Sequence, residues 1–305
     1  MDVFAEALRV SGARGSLGVV LKAGGTWGLW LESAPGAALH VVSRGTMWLH
    51  VPGEKPLEVR EGDAVLLAPG TAHGIAGGPS TTMRLCDRKA TDRALADGSP
   101  LHLGSTPPQT EVLLLRYEQD PEVSTPVLTS LAGPMHVTSR ENAQLRKTVE
   151  LLTAELARPQ IGTTAAVNSI VDLLLIQFVR VWLARNPQQP TGSWLGAMRD
   201  PVVRDALANV HARPEHPWTT ASLAAATAVS RTTLSRRFRS ALGQPPGAYV
   251  TQWRLDLASV RLRDTDEPVE SISGAVGYAS PHAFSRAFRR ARGIPPGEYR
   301  SRLRE

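Results

Sequence analysis

The sequence contains a single cysteine, Cys86, so no disulfide can form within the chain. A disulfide-stabilised secreted fold is therefore excluded, and a reducing cytoplasm is the simplest compartment. The first residues, Met1-Asp2-Val3, lack the basic and apolar regions of a signal peptide, which also predicts a cytoplasmic protein. Catalytic signatures are scarce too: there is no Gly-x-Ser-x-Gly, no phosphate-binding loop and no dinucleotide fingerprint. These absences argue against the enzyme classes that such motifs mark.

Positive charge is concentrated near the C-terminus. The 305 residues, enough for two domains, carry a net charge of +6. From Trp218 to Glu305 there are 14 arginines and 7 acidic residues, a net charge of +7, which leaves −1 for the rest. The C-terminal third therefore predicts a polyanionic partner, although an arginine-rich composition alone would give the same count.

The N-terminal part has the pattern of an all-β sandwich or barrel. Residues 17–88 alternate short apolar runs with glycine-centred turns. Gly62–His73 resembles the second cupin motif, which has a Gly-Asp turn, a buried strand, Pro-Gly and then a histidine. The first cupin motif is incomplete, because the segment from Gly36 to Gly45 keeps His40 and the closing glycine but lacks the His-x-His pair and the later glutamate. The resemblance implies a cupin-like β-barrel with an inward-facing histidine.

We expect His40, His73 and Cys86 to converge in this barrel as a metal or effector site. Nitrogen and sulfur ligands of this kind suit zinc or another borderline-soft divalent ion. Two alternatives stay open: hydrogen-bonded core histidines with a structural cysteine, and a metal-free pocket for an organic effector.

Two helices are expected between the barrel and the C-terminal third. Thr138–Glu141 has capping-box spacing ahead of a helix with an apolar stripe. The next helix, Ala165–Ala184, is apolar on nearly all sides and long enough to span a membrane. Asp172 and Arg180 near its middle argue against a membrane, so we expect a buried helix and favour a homodimer interface, with simple packing under the barrel as the alternative.

A repeat with a period of 50 residues organises the C-terminal third. Gly243-Gln-Pro-Pro-Gly-Ala-Tyr249 returns as Gly293-Ile-Pro-Pro-Gly-Glu-Tyr299, with five of seven positions identical. Upstream, Leu234–Phe238 corresponds to Phe284–Phe288 at the same offset. A fixed period marks repeated structural modules, and two copies predict one domain built from two similar helical units.

Each unit has the features of a helix-turn-helix. Ser230 is expected to cap a helix over Arg231–Leu242, and a long helix over Ala248–Arg263 joins this unit to the second. Burial of Leu234 and Phe238 turns the polar residues of the first helix outward.

The C-terminal third resembles the DNA-binding domain of the AraC/XylS family of transcription regulators. The residues that carry the resemblance are Trp218, Ser235-Arg-Arg-Phe238, Trp253-Arg254, Gly277-Tyr278, Phe284-Ser-Arg-Ala-Phe288 and Tyr299. The barrel is similar to the cupin-type sensor found in one branch of that family. The resemblance implies one major-groove reading helix in each unit.

The family's contacts, carried over by position, give two sets of residues. The implied base contacts are Thr232, Ser235, Arg236, His282, Ala283 and Arg286. The implied phosphate contacts are Arg231, Arg237, Arg239, Arg289 and Arg290. Arginine can recognise guanine by donating hydrogen bonds to its two major-groove acceptors. Phosphate contacts, in contrast, position the protein on DNA without specifying a sequence.

The sequence therefore predicts an α+β multidomain protein: a cytoplasmic DNA-binding transcription regulator, not an enzyme, controlled by a small-molecule, metal or redox signal. The expected segments are a cupin-like sensor β-barrel at 1–137, a helical dimerisation segment at 138–186, a linker at 187–199 and a paired helix-turn-helix domain at 200–305. Expected partners are double-stranded DNA, a small-molecule or redox effector and a second copy of the chain, with RNA polymerase as a further candidate and no membrane. The alternatives are a cupin-type metalloenzyme fused to a DNA-binding module and a purely architectural DNA binder.

Overall fold

The computed structural model describes residues 2–120, 123, 125, 127–128, 131, 133–138, 142–186 and 194–303. The chain divides into two compact units. The sheet unit comprises Arg14–Glu118 and Leu131–Gln188, and the helical unit comprises Met1–Ala13, Gln119–Ser130 and Gln189–Glu305. This division differs from the contiguous segments expected from the sequence, because residues 1–13 and 119–130 belong with the C-terminal helices.

The described part of the sheet unit contains two mixed sheets. Their strands are β1 (Arg14–Gly24), β2 (Gly28–Leu31), β3 (Ala37–Arg44), β4 (Thr46–His50), β5 (Leu57–Arg60), β6 (Ala64–Leu67), β7 (His73–Ala76), β8 (Arg84–Leu85), β9 (Leu101–Gly104), β10 (Thr110–Glu118) and β11 (Met135–Val137). One sheet has the order β11-β6-β3-β10-β1-β9 and the other β5-β4-β7-β2-β8. Apolar side chains of both sheets, such as Val65 and Ile75, share one core.

This arrangement confirms the expected β fold with one correction, since the described strands form two open sheets and not a closed barrel. The physical reason lies in the chain after β8. Helix α2 (Arg88–Asp97) leads away from the five-stranded sheet, and β9 then pairs in parallel with β1 in the other sheet. Each sheet consequently keeps two edge strands.

Helices α3 (Ala143–Ala157) and α4 (Thr163–Arg185) pack on each other and on the six-stranded sheet. The hydroxyl of Tyr117 donates to the carbonyl of Val171 at 2.6 Å, and Asp172 accepts from the backbone N–H of Gly15 at 2.7 Å. Among the described helices, α4 alone is long and apolar enough to cross a membrane, but these contacts fit a core helix. The predicted capping box lies partly outside the described residues, and Asn142 caps α3.

The described residues of the helical unit form nine helices. They are α1 (Val3–Ser11), α5 (Trp194–Ala197), α6 (Pro201–Ala212), α7 (Thr220–Ala226), α8 (Arg231–Leu242), α9 (Pro246–Asp264), α10 (Val269–Ala275), α11 (Pro281–Arg292) and α12 (Pro296–Arg302). Asp200 caps α6 and is followed by proline at the first helical position, as its sequence predicts. The segment expected to be a linker ends in α5, whose Trp194 is buried.

The 50-residue repeat marks the ends of α8 and α11. Gly243 has φ +71° and Gly293 has φ +81°, so both adopt the left-handed conformation that glycine accepts without strain. The proline pairs that follow begin α9 and α12. Tyr249 and Tyr299 are then buried at equivalent positions, which anchors each following helix in the core of its unit.

Candidate nucleic-acid interface and sensor site

Helix α8, the predicted reading helix of the first helix-turn-helix unit, exposes one polar face because its opposite face is buried. Ser230 caps the helix by accepting from the N–H of Thr233 at 3.1 Å. Leu234 and Phe238, one turn apart, are fully buried. Thr232, Arg231, Arg236 and Arg239 are exposed, and Ser235 is half-buried. Of the six residues of α8 named for base or phosphate contacts, these four are therefore open to solvent, and Arg237, like Ser235, is half-buried.

Arg237 differs from the other arginines of α8. Its Nη1 donates to both carboxylate oxygens of Asp200, at 3.0 and 3.1 Å. Asp200 is also the N-cap of α6, accepting from the backbone N–H groups of Val202 and Val203. Arg237 therefore ties α8 to the start of α6, a role that the sequence did not reveal because the two residues are 37 positions apart.

The second reading helix, α11, repeats this design. Ser280 caps it by accepting from the N–H of Ala283 at 3.2 Å, and Phe284 and Phe288 are fully buried. The remaining predicted contact residues are His282, Arg286, Arg289 and Arg290, all exposed, and the half-buried Ala283. The exposed face of α11 thus carries three arginines, a strongly positive surface.

The turns within the two helix-turn-helix units differ in length by one residue. Four residues separate α7 from α8 and five separate α10 from α11. The first turn contains Ala228 at φ +53°, and the second contains Gly277 at φ +88°. The left-handed conformation costs a non-glycine residue about 1–2 kcal/mol, so the first turn is strained where the second is relaxed.

Arg254, on α9, contacts segments that belong to the two helix-turn-helix units. Its Nε donates to the carbonyl of Pro214 at 2.8 Å, and its Nη2 donates to the carbonyl of His216 at 2.7 Å. The same guanidinium lies against Gly277, where an added Cβ would come within 2.7 Å of Nη2. Arg254 therefore links the loop after α6 to the turn of the second unit, and any side chain at Gly277 would disturb it.

The sensor site contains two of the three expected residues. His40 on β3 and His73 on β7 come from opposite sheets, and their Nε2 atoms are 2.7 Å apart. The side chains are 2% and 4% exposed, so the pair lies in the shared apolar core. Burial lowers the pKa of His40 well below its usual value, and the neighbouring His73 lowers it further. Burial also lowers the pKa of His73. Both imidazoles are therefore neutral near pH 7.

The hydrogen bonds of the pair determine its tautomers. Nδ1 of His73 lies 2.8 Å from the carbonyl oxygen of Thr71, which can only accept, so this nitrogen carries the proton. Nε2 of His73 is then an acceptor, and Nε2 of His40 must donate to it. Nδ1 of His40 is left as a buried acceptor without a hydrogen-bond partner. The apolar core thus contains one buried hydrogen-bond acceptor, Nδ1 of His40, that is not used.

Cys86 does not join the two histidines, which corrects the expected convergence. Its Sγ lies 3.2 Å from the hydroxyl of Thr91 on α2, and its N–H donates to the carbonyl of Trp30. The described residues contain no group of three histidine, cysteine or acidic side chains suited to a metal. Zinc sites use four protein ligands, or three when catalytic, so these two histidines provide an incomplete set.

Two family models together match most of the chain. A cupin model matches residues 2–184, and a helix-turn-helix domain model matches residues 223–302. A putative AraC-like transcription regulator from Streptomyces antibioticus is 32% identical over 291 residues, covering 93% of each chain. The HTH-type transcriptional regulator AlkR from Acinetobacter baylyi is 28% identical over 272 residues, covering 87% of each chain.

Among solved structures, the DNA-binding domain of AdpA in complex with a target DNA is 32% identical, covers 34% of this chain and 94% of that chain, and has a TM-score of 0.33. The full-length relatives carry the assignment, because their similarity extends over both the cupin part and the helix-turn-helix part. The chain belongs to the AraC family and is a DNA-binding transcription regulator with a cupin-like N-terminal domain.

Proposed function

We propose that this regulator reads two adjacent DNA half-sites with α8 and α11, and that a signal received in the cupin-like domain controls the reading. The observation that carries the proposal is the paired design of the two helices. Each has a capped N-terminus, a buried apolar stripe and exposed arginines on the opposite face. A helix presented in this way suits the major groove, with its N-terminal residues toward base edges.

The proposed base contacts divide unevenly between the units. In the first unit they are Thr232, Ser235 and Arg236; in the second they are His282, Ala283 and Arg286. Arg236 offers the strongest discrimination, about 1–3 kcal/mol when bidentate to guanine. The N-terminal contact residues of the second unit are His282 and Ala283, which discriminate weakly between bases. We therefore propose that the second unit contributes more to DNA affinity than to sequence discrimination.

The proposed phosphate contacts are the exposed Arg231, Arg239, Arg289 and Arg290. They contribute affinity that falls with salt and is the same for every sequence. Arg237 is removed from this group, because its guanidinium is engaged with Asp200. We propose instead that Arg237 orients α8 through its contact with Asp200.

We propose the pair of His40 and His73 as the point where the signal acts. A metal ion such as zinc, a small polar molecule or an oxidant is a suitable signal, because the pair holds the unused Nδ1 acceptor described above and the chain has one thiol, Cys86. A metal there would need donors beyond the two imidazoles. The same shortage removes support for the metalloenzyme alternative, whose catalytic ion would need three protein ligands.

The proposed setting is the cytoplasm, with a homodimer as the working form and RNA polymerase as a candidate partner. Leu151 on α3 and Leu173 on α4 are large apolar side chains that are 53% and 41% exposed. A second copy of the chain would cover this face.

The proposal is tested by selecting bound DNA from a random pool and measuring affinity for the selected operator and for random DNA. We expect Arg236→Ala to lower operator affinity and relax one base position, whereas Arg289→Ala weakens both DNAs alike and reduces the salt dependence. Arg146→Ala on α3 is the matched control. Equal loss on operator and random DNA for Arg236→Ala would reject its role as a base reader.

The sensor part uses the same assay with zinc or with an oxidant added. We expect His73→Ala to abolish the response to zinc and Cys86→Ser to abolish the response to oxidant, whereas the exposed His102→Ala changes neither. An oxidant response that survives in Cys86→Ser would remove the thiol from the mechanism.

A further inference from the structure

The chain passes between its two units around residues 119–130. Strand β10 ends at Glu118 in the sheet unit, the next residues belong to the helical unit, and the chain returns to the sheet unit at Leu131. Four described side chains of this stretch are buried, because Val123, Thr125, Val127 and Leu128 are all at most 5% exposed, whereas Gln119 and Asp120 are half-buried. A sequence that lies within the cupin match is therefore part of the core of the DNA-binding unit.

Two side chains of this stretch bind α9, the helix between the two reading helices. Asp120 forms an ion pair with Arg263, and the hydroxyl of Thr125 donates to Oδ2 of Asp256 at 2.6 Å. Asp256 and Arg263 are seven residues apart, or two helical turns, so they lie on one face of α9. The stretch is thus fixed to α9 at two points by polar contacts.

Asp256 also holds the end of the second reading helix. Its carboxylate is fully buried, and Oδ1 accepts a hydrogen bond from Nη2 of Arg292, the last residue of α11. Nε of Arg292 donates to the hydroxyl of Ser259 at 3.1 Å, one turn further along α9. The arginine side chain is itself only 6% exposed. One buried carboxylate therefore contacts both the stretch from β10 and the helix that carries His282, Arg286 and Arg289.

The first helix-turn-helix unit lacks a charged side chain at the position that corresponds to Arg292. The residue 50 positions before Arg292 is Leu242, which ends α8 and carries no charge. A polar contact that fixes α8 to a neighbouring helix is the Arg237–Asp200 pair. The carboxylate that Thr125 contacts therefore holds α11, whereas the Arg237–Asp200 pair of α8 lies elsewhere.

We propose that Thr125 is a positioning residue for the second reading helix and acts through Asp256 and Arg292. A buried carboxylate must keep its hydrogen bonds, since each one lost leaves part of the desolvation cost uncompensated. The hydroxyl of Thr125 therefore helps to keep the Asp256 carboxylate in place, and Asp256 keeps the end of α11 against α9. This inference rests on the proposed function, because it requires α11 to bind DNA.

The test uses full-length protein and three DNA probes of equal length: the selected operator, and operators with only the first or only the second half-site scrambled. Dissociation constants are measured by fluorescence anisotropy. Thr125→Val removes the hydroxyl at nearly constant volume, and Thr125→Ser restores it. Thr148→Val is the matched control, because Thr148 is also buried but bonds to a carbonyl of its own helix.

We expect Thr125→Val to bind about tenfold less tightly to probes with an intact second half-site, the effect of one hydrogen bond to a charged group. Binding to the probe whose second half-site is scrambled should stay unchanged, and Thr125→Ser should recover most of the loss. Arg292→Lys, which alters the same contact from the α11 side, should show the same selectivity even if Thr125→Val folds poorly.

Loss of the same size on both single-site probes, or no loss for Thr125→Val and Arg292→Lys, would overturn the proposal. Failure of the proposed function gives a different result: wild-type protein would then bind all three probes and random DNA with equal affinity.

Discussion

Asp200 performs two tasks in the first helix-turn-helix unit, and its replacement should separate them. The carboxylate caps α6 by accepting from Val202 and Val203, and it also binds Arg237 of α8. Loss of an aspartate N-cap to alanine costs about 1 kcal/mol. The ion pair contributes about 0.5 kcal/mol, because its side chains are 39% and 23% exposed and solvent screens them.

We therefore expect Asp200→Ala to lower the free energy of unfolding by about 1.5 kcal/mol. Asp200→Asn retains a capping oxygen and loses the charge, so it should cost only about 0.5 kcal/mol. Urea unfolding followed by circular dichroism measures both values, and Asp205→Asn, an exposed residue of α6, is the control. Equal costs for the alanine and asparagine variants would refute the capping argument.

The same variants decide the role of Arg237. If this arginine orients α8, Asp200→Asn should weaken operator binding, because the tie to α6 is lost. If it contacts phosphate instead, release from the carboxylate would leave binding unchanged or strengthen it. Operator affinity at two salt concentrations distinguishes the two outcomes, since an added phosphate contact steepens the salt dependence.

Two further predictions concern stability. Ala228→Gly should raise the free energy of unfolding by about 0.5–1 kcal/mol, because glycine relieves the left-handed strain. Gly277→Ala should lower the free energy of unfolding, because a Cβ would meet the carbonyl oxygen of Pro214 at 2.6 Å. The same urea assay checks both variants, and a loss of stability for Ala228→Gly would contradict the strain argument. Burial lowers the pKa of His211 to about 3, and the unfolded chain takes up this proton near pH 6.5, so stability should be complete above pH 6.5 and fall from there toward pH 3. His211→Gln should flatten this dependence, and an unchanged slope of the urea midpoint against pH would show that His211 does not cause it.

The helix cap at Ser230 could be predicted from the sequence, whereas the long-range polar contacts of the helical unit could not. Ser230 acts on a backbone N–H of its own helix, so its sequence context identified it as a helix cap. Thr125 and Asp256 are 131 positions apart, and no periodicity or motif relates them. Only the folded chain reveals that they share a hydrogen bond.

The sensor site shows the same limit. Strand alternation and the cupin-like motif were sufficient to predict that His40 and His73 face one core. They were not sufficient for Cys86, because β8 is only two residues long and α2 begins directly after it. The thiol therefore lies against Thr91 of that helix, a contact decided by where the short strand ends.

The two reading helices are held in different ways, and this difference has a consequence for regulation. The first is fixed by Arg237 and Asp200, both within the C-terminal sequence, and its Arg236 is the strongest candidate base reader. The second is fixed by Arg292 and Asp256, to which Thr125 contributes from the stretch that follows β10. A change at the Thr125 hydroxyl would therefore act, through Asp256, on the helix proposed to supply affinity. Such a regulator would change how tightly it binds its operator without changing which operator it binds.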